Sequence, residues 1–145
     1  MLTTGGTARD VQAIRALKDI FAVAFLKKDA RLRASIWTEE GTLVPPEGGF
    51  FQGRESMQKH FATQASAITA SSDMRFSNYR FRFITSDIAF VDVDIALIDI
   101  IGPDGAQHAL LPIVSAFTAI RTTGKWWVQD ERAYFRASPS APARQ

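Results

Sequence analysis

The sequence predicts an α+β domain in which three helices pack on one face of a curved antiparallel sheet. Up to about residue 67 apolar side chains recur at steps of three and four, and from Met74 onward they alternate with polar ones. The segments with period two are joined by short turns, Ser86-Asp87, Pro103-Asp104-Gly105 and Thr122-Thr123-Gly124, which suit a meander of neighbouring strands. Helices first and strands afterwards give this class rather than an alternating α/β fold.

Taken in order, residues 9 to 28 set Val11, Ile14, Leu17, Ile20, Phe21, Ala24, Phe25 and Leu26 at helical spacing, with Arg15, Lys18, Asp19 and Lys27 between them. Asp29 is the expected N-cap of a short second helix that carries Leu32, Ile36 and Trp37 and ends at Gly41. Residues 42 to 44 read as a short strand. Pro45-Pro46-Glu47-Gly48-Gly49 cannot continue a central strand, since proline lacks the ladder donor, and is predicted to be a loop at a pocket mouth. A third helix is expected from about Arg54 to Ala67, with Met57, His60, Phe61 and Gln64 offset by three or four residues. Strands follow at about 74 to 84, 88 to 101, 107 to 121 and 125 to 136. The expected organisation is a flexible segment 1 to 8, one domain over 9 to 136, and a disordered tail over 137 to 145, rich in Pro, Ala and Ser.

At 145 residues the chain is long enough for one domain with a real core. It has no cysteine, which excludes a disulfide framework, thiolate zinc sites and a cysteine nucleophile. The formal charge is only +2, and the 17 basic residues are scattered rather than clustered as nucleic-acid binding requires. Arg75 to Phe83 interleaves basic and aromatic residues, but strand alternation accounts for it, with Tyr79, Phe81 and Phe83 inward and Arg80 and Arg82 outward. Charges interrupt every apolar stretch before it reaches membrane-spanning length, and the first residues lack a signal-peptide pattern; a cytoplasmic protein without membrane or nucleic-acid partners is expected.

The strand Ile88 to Ile100 carries the main chemical oddity. Its even-numbered residues share a face, so Asp92 and Asp94 lie side by side while Val91, Val93, Ile95 and Leu97 occupy the other face. Two neighbouring carboxylates in a desolvated cavity would separate in pKa and supply an acid and a base. On a face meeting water or a partner subunit the pair would be unremarkable. In the last strand, Trp127, Gln129, Glu131, Ala133 and Phe135 are expected on one face, opposite Trp126, Val128, Asp130, Arg132 and Tyr134. Neither histidine belongs to a helical metal motif; His60 could reach the cavity mouth as a general base, and His108 reads as an exposed strand-end residue.

The order of pieces between Phe21 and Phe61 is more specific than any one of them. An apolar helix, Lys28-Asp29-Ala30-Arg31-Leu32, Ile36-Trp37-Thr38-Glu39-Glu40-Gly41-Thr42-Leu43, and then Phe51-Gln52-Gly53-Arg54-Glu55-Ser56-Met57 resembles the opening of the cone-fold superfamily of nuclear transport factor 2, ketosteroid isomerases and SnoaL-like polyketide cyclases. With the four strands the resemblance covers residues 10 to 136. It implies a cone-shaped, cystatin-like sheet with the helices on its concave face, one deep pocket, and a homodimer formed through the outer face. The superfamily hosts isomerases, dehydratases, epoxide hydrolases and non-enzymes, so the fold does not name a reaction.

The resemblance puts Asp92 and Asp94 where ketosteroid isomerases have pocket-lining residues, and Asp94 near the strand aspartate of limonene epoxide hydrolases. It also implies a pocket position for Glu131. It removes isomerase chemistry of the steroid type: the base position holds Pro45, the oxyanion-hole tyrosine corresponds to Phe21, and the acid donor falls at Ser115 or Ala116. The epoxide-hydrolase set is likewise incomplete, with Asp92 at the Arg position and Ala133 at the second Asp. The expected function is a SnoaL-like enzyme that uses pocket carboxylates for acid/base chemistry on a polyketide- or steroid-like apolar molecule, without metal or organic cofactor. Its expected catalytic residues are Asp94, Asp92, Glu131 and His60. Phe21, Phe25, Trp37, Val44, Phe51, Met57, Phe61, Ser115 and Phe135 are expected to bind substrate, with Phe50, Val114 and Phe117 nearby. The alternative is a non-catalytic ligand-binding or dimerisation module of the same fold.

Overall fold

The computed structural model describes residues 6–67, 73–101 and 106–137. The predicted turn Pro103-Asp104-Gly105, and the expected tail apart from Ala137, lie outside them. Three helices, α1 (Ala8–Lys27), α2 (Ala30–Ala34) and α3 (Arg54–Ala67), cover one face of a six-stranded curved sheet. The strands are β1 (Trp37–Val44), β2 (Phe51–Gln52), β3 (Asp73–Thr85), β4 (Ile88–Ile101), β5 (Gln107–Thr122) and β6 (Lys125–Phe135). Their order across the sheet is β2-β1-β6-β5-β4-β3. The four long strands form the expected antiparallel meander, and β1 joins β6 in parallel.

Residues 1 to 5 of the segment expected to be flexible lie outside the described residues, and helix α1 begins at Ala8, where Thr7 and Asp10 form a reciprocal capping box. Asp10 also accepts from Arg121 Nη1 at 2.9 Å and Trp126 Nε1 at 3.3 Å, which fastens the start of α1 to the sheet. Lys28, at φ 57°, ends the helix in the left-handed region, and the Asp29 carboxylate caps α2 through Leu32 N at 3.0 Å.

The second helix is shorter than expected. It stops at Ala34, and Trp37 already belongs to β1. Ile36 and Trp37 are β-formers, and Val128 N donates to Ile36 O at 2.9 Å, so pairing with β6 prevails over the helical spacing of these residues. Gly41 is therefore not a helix end. A Cβ there would lie 2.7 Å from Gln129 O and from Trp37 Cδ1, where β1 shifts register against β6. Gly53, at φ 87°, donates to Gly41 O, and Arg54 Nε donates to Trp37 O at 2.7 Å, so the Gly-Arg pair ties the start of α3 to β1.

Two irregularities decide which side chains face the helices. In β3, Asn78 adopts φ 61° where the register to β4 shifts between Ser77 and Arg80; Met74 is buried before it, and Tyr79, Phe81 and Phe83 after it. In β6 the register to β5 shifts between Thr118 and Ala119, leaving Gln129 as the extra residue. Trp126 and Val128 are therefore buried on the same side as Glu131 and Ala133, whereas simple alternation put Trp127 and Gln129 there. Thr38 donates to Gln129 Oε1 at 2.7 Å and Thr42 to Asp130 Oδ1 at 2.5 Å, which holds the bulge against β1.

Replacing Gly41 with Ala forces a methyl group against a backbone carbonyl, which should cost about 1–3 kcal/mol. A lowered urea midpoint with an unchanged slope checks this; an unchanged midpoint contradicts the close approach of β1 to Gln129.

Candidate functional site

Between the helices and the concave face lies a cavity of about 460 Å3. Phe21 and Phe25 of α1, Phe61 of α3, Leu43 of β1, Met74 of β3, Ile95 and Leu97 of β4, Leu111 and Ile113 of β5, and Ala133 and Phe135 of β6 make its walls apolar. Pro45, Pro46 and Glu47, from the loop after β1, also line it. Arg33, His60, Gln64 and Glu131 add a few polar groups, the composition of a small-molecule site.

Glu131 is only 4% exposed. Its Oε1 pairs with Lys18 Nζ at 2.5 Å and its Oε2 accepts from Ser115 Oγ at 2.6 Å. Lys18 has no exposed surface, although it belongs to an amphipathic helix, where a lysine is ordinarily solvated. Its ammonium lies 4.7 Å from the Phe117 ring centre, 5.0 Å from Phe21, 5.6 Å from Trp37 and 5.9 Å from Phe76, so aromatic faces replace water around it. Burial pulls the Lys18 pKa below the ordinary lysine range, against the opposing attraction of Glu131.

A second polar chain crosses the cavity. Arg33, 5% exposed, is packed 4.0 Å from the Phe61 ring centre, 4.7 Å from Phe21 and 5.1 Å from Phe25. Its Nη1 donates to Gln64 Oε1 at 2.7 Å, and Gln64 Nε2 donates to Glu47 Oε2 at 2.5 Å. The same Glu47 oxygen lies 3.9 Å from His60 Nε2, a buried nitrogen with no hydrogen-bond partner among the described residues. Burial lowers the Arg33 pKa to about 9, partly offset by Glu47 and Glu131, so it remains a cation at neutral pH. Burial also lowers the His60 pKa, outweighing Glu47, so the imidazole is neutral at pH 7. His60 stacks on Phe51 at 4.2 Å and lines both the cavity and an outer groove formed with Phe51, Gln52, Glu55, Ser56, Lys59 and Thr63.

The sequence expectations divide accordingly. Phe21, Phe25, Phe61, Phe135, His60 and Glu131 line the cavity. Ser115 is buried against Glu131, while Trp37, Met57 and Phe117 are core residues. Phe51 belongs to the outer groove, and Phe50 is 59% exposed. Val44 alternates with inward Leu43, and Val114 with inward Ile113 and Ser115, so both turn from the cavity.

The pocket position expected for Asp92 and Asp94 requires correction. The helices bury Val91, Val93, Ile95 and Leu97, and strand alternation turns both aspartates to the opposite face. There Asp94 accepts from Arg136 at 2.6 Å and Asn78 at 3.1 Å, and Asp92 stands opposite Arg80. The side chain of His108 lies outside the described residues. Among the described residues no group of three His, Cys, Asp or Glu side chains could hold a metal ion, and no helix is long and apolar enough to cross a membrane.

Lys18, Arg33 and Gln64 are polar residues of the site that the sequence did not place there, and Glu47 fell only in the loop expected at the pocket mouth. Lys18 did carry a signal: with Ile14, Phe21 and Phe25 it occupies one helical stripe. For Arg33 the short helix offers no comparable period.

Removing one partner of the buried pair should be far worse than removing both. Lys18→Met or Glu131→Gln alone leaves an unmatched buried group and should cost about 3–5 kcal/mol. The double variant should recover much of that loss in a denaturation cycle. Additive losses would contradict the pairing.

The sequence matches no family model and no curated protein. Solved structures match it along nearly its whole length. A Nostoc punctiforme protein of unknown function with a cystatin-like fold is 17% identical, with a TM-score of 0.76 over 96% of this chain and 98% of that one. A hexachlorocyclohexane dehydrochlorinase from Novosphingobium barchaimii is 18% identical, with a TM-score of 0.74 over 94% and 95%. A candidate scytalone dehydratase from Novosphingobium aromaticivorans is 13% identical, with a TM-score of 0.74 over 93% and 89%. At these identities the likeness establishes the fold alone: the chain has a cystatin-like fold.

Proposed function

We propose that this protein is a cofactor-independent enzyme that moves a proton at carbon in a small apolar molecule, leading to elimination or isomerisation. The observation that carries this reading is the Glu131 carboxylate on the wall of an apolar cavity, with the Lys18 ammonium fixed 2.5 Å behind it. Glu131 would take the proton from carbon. In an elimination the C–H electron pair forms the new double bond as the leaving group departs with its own pair; in an isomerisation the acid returns the proton at the new position. Lys18, behind the carboxylate, acts through Glu131 by holding it in place. Ser115 fixes the carboxylate through the bond to Oε2. His60, neutral and bordering both cavity and outer groove, would relay the proton to solvent, with Glu47 balancing its charge when protonated.

The named neighbours are compatible with this class, since a dehydratase and a dehydrochlorinase both carry out eliminations. One observation favours the second reading, a ligand-binding module without turnover: both Glu131 oxygens already have partners.

Exchange in D2O separates the two. With a panel of cyclic ketones and halogenated cycloalkanes, the wild type should exchange deuterium into, or eliminate from, at least one compound. Glu131→Gln, in protein shown to be folded, should slow that reaction about 10²–10⁴-fold. The rate should fall as pH drops below the usual histidine range, because protonated His60 accepts no further proton, and His60→Gln should flatten that limb. Binding without exchange would favour the binding module; exchange unaffected by Glu131→Gln would sink the assignment.

A further inference from the structure

We infer that the molecule bound in the cavity carries a carboxylate, and that Arg33 binds it. This inference rests on the proposed reading only in taking the cavity as the substrate site. Burying a charge without a counter-charge is costly, and buried cations are ordinarily paired. Lys18 has Glu131 in direct contact. Arg33, equally part of the interior, has no carboxylate within ion-pair distance among the described residues: Nη1 goes to the neutral amide of Gln64, and Nε has no partner. Glu47 is reached only through that amide, from the partly exposed loop that includes Pro45 and Pro46. The cavity therefore presents one buried positive charge whose nearest compensation lies a side chain away at the rim.

The class of ligand follows from what surrounds that charge. A planar guanidinium matches a carboxylate side-on through two parallel N–H bonds. Phe21, Phe25 and Phe61 flank it, so the ligand body next to the anionic group is apolar. A single charge is matched and a dianion is not, because the other buried cation, Lys18, is already held by Glu131. A phosphate monoester would bring a second charge with nothing to meet it.

The test compares 2-naphthoate, 4-phenylbutyrate and cyclohexanecarboxylate with their primary carboxamides, using calorimetry and the Arg33 Nε–Hε resonance of the wild-type protein. At least one carboxylate should bind about tenfold more tightly than its amide, the factor expected of a charge-assisted hydrogen bond. It should also shift the Arg33 resonance. Arg33→Gln should abolish this preference and leave the amide affinity within about twofold. Should that variant fail to fold, Arg33→Lys, which keeps the charge and loses the fork, should retain only part of the preference. Equal binding of acids and amides, or a preference that survives Arg33→Gln, overturns the carboxylate inference while leaving the Glu131 chemistry standing. Failure of every acid and amide to bind at millimolar concentration also overturns the carboxylate inference, and the Glu131 chemistry then stands or falls on the exchange experiment alone.

Discussion

A lysine ammonium without water contact and a glutamate on the wall of an apolar cavity can coexist only because they touch. Lys18 comes from the middle of α1 and Glu131 from β6, 113 positions later, so their pairing fixes the helix across the sheet. The desolvation of both groups is offset by the 2.5 Å contact, by the Ser115 hydroxyl on the second carboxylate oxygen, and by four aromatic rings around the ammonium. Such a pair contributes little net stability over an apolar substitute, yet strongly disfavours any arrangement that separates its members. It sets the polar wall of the cavity and leaves the remainder to be shaped by side-chain volume.

The bulge in β6 makes this pairing possible. With regular alternation, a strand that buries Trp126 and Val128 would bury Asp130 and Arg132 next and turn Glu131 outward. The additional residue, Gln129, exchanges the two faces, and Thr38 and Thr42 of β1 hold the side chains of Gln129 and Asp130. Gly41 lets β1 approach at that point. A surface feature of the sheet thus determines which carboxylate enters the cavity.

Periodicity made most of the fold legible. The first helix, the third helix and the four long strands follow from apolar spacing, and the order of short motifs between Phe21 and Phe61 anticipates the cystatin-like fold. Bulges leave a weaker trace: at Asn78 and Gln129 the inward face changes inside a continuous strand, marked only by the polar pairs Ser77-Asn78 and Gln129-Asp130. The aspartates misled for another reason. Alternation separates Asp92 and Asp94 from Val91, Val93, Ile95 and Leu97, but the helices need the apolar face, so the carboxylates meet Arg136, Asn78 and the outer surface instead. The cations were obscured by their chemistry, since a lysine or arginine on an amphipathic helix is ordinarily solvated. Their burial depends on partners supplied by distant segments, Glu131 for Lys18 and Gln64 for Arg33.

Direct observation of the Lys18 side chain tests the buried pair most sharply. Proton–nitrogen spectra of the lysine Nζ groups at pH 7 should contain one whose hydrogens exchange slowly with water, with nuclear Overhauser contacts to the rings of Phe21, Trp37 and Phe117. That signal should disappear in Lys18→Met. Rapid exchange for every lysine, with no Nζ near an aromatic ring, would mean that Lys18 is solvated, and the account of Glu131 as a cavity base backed by a buried ammonium would be wrong.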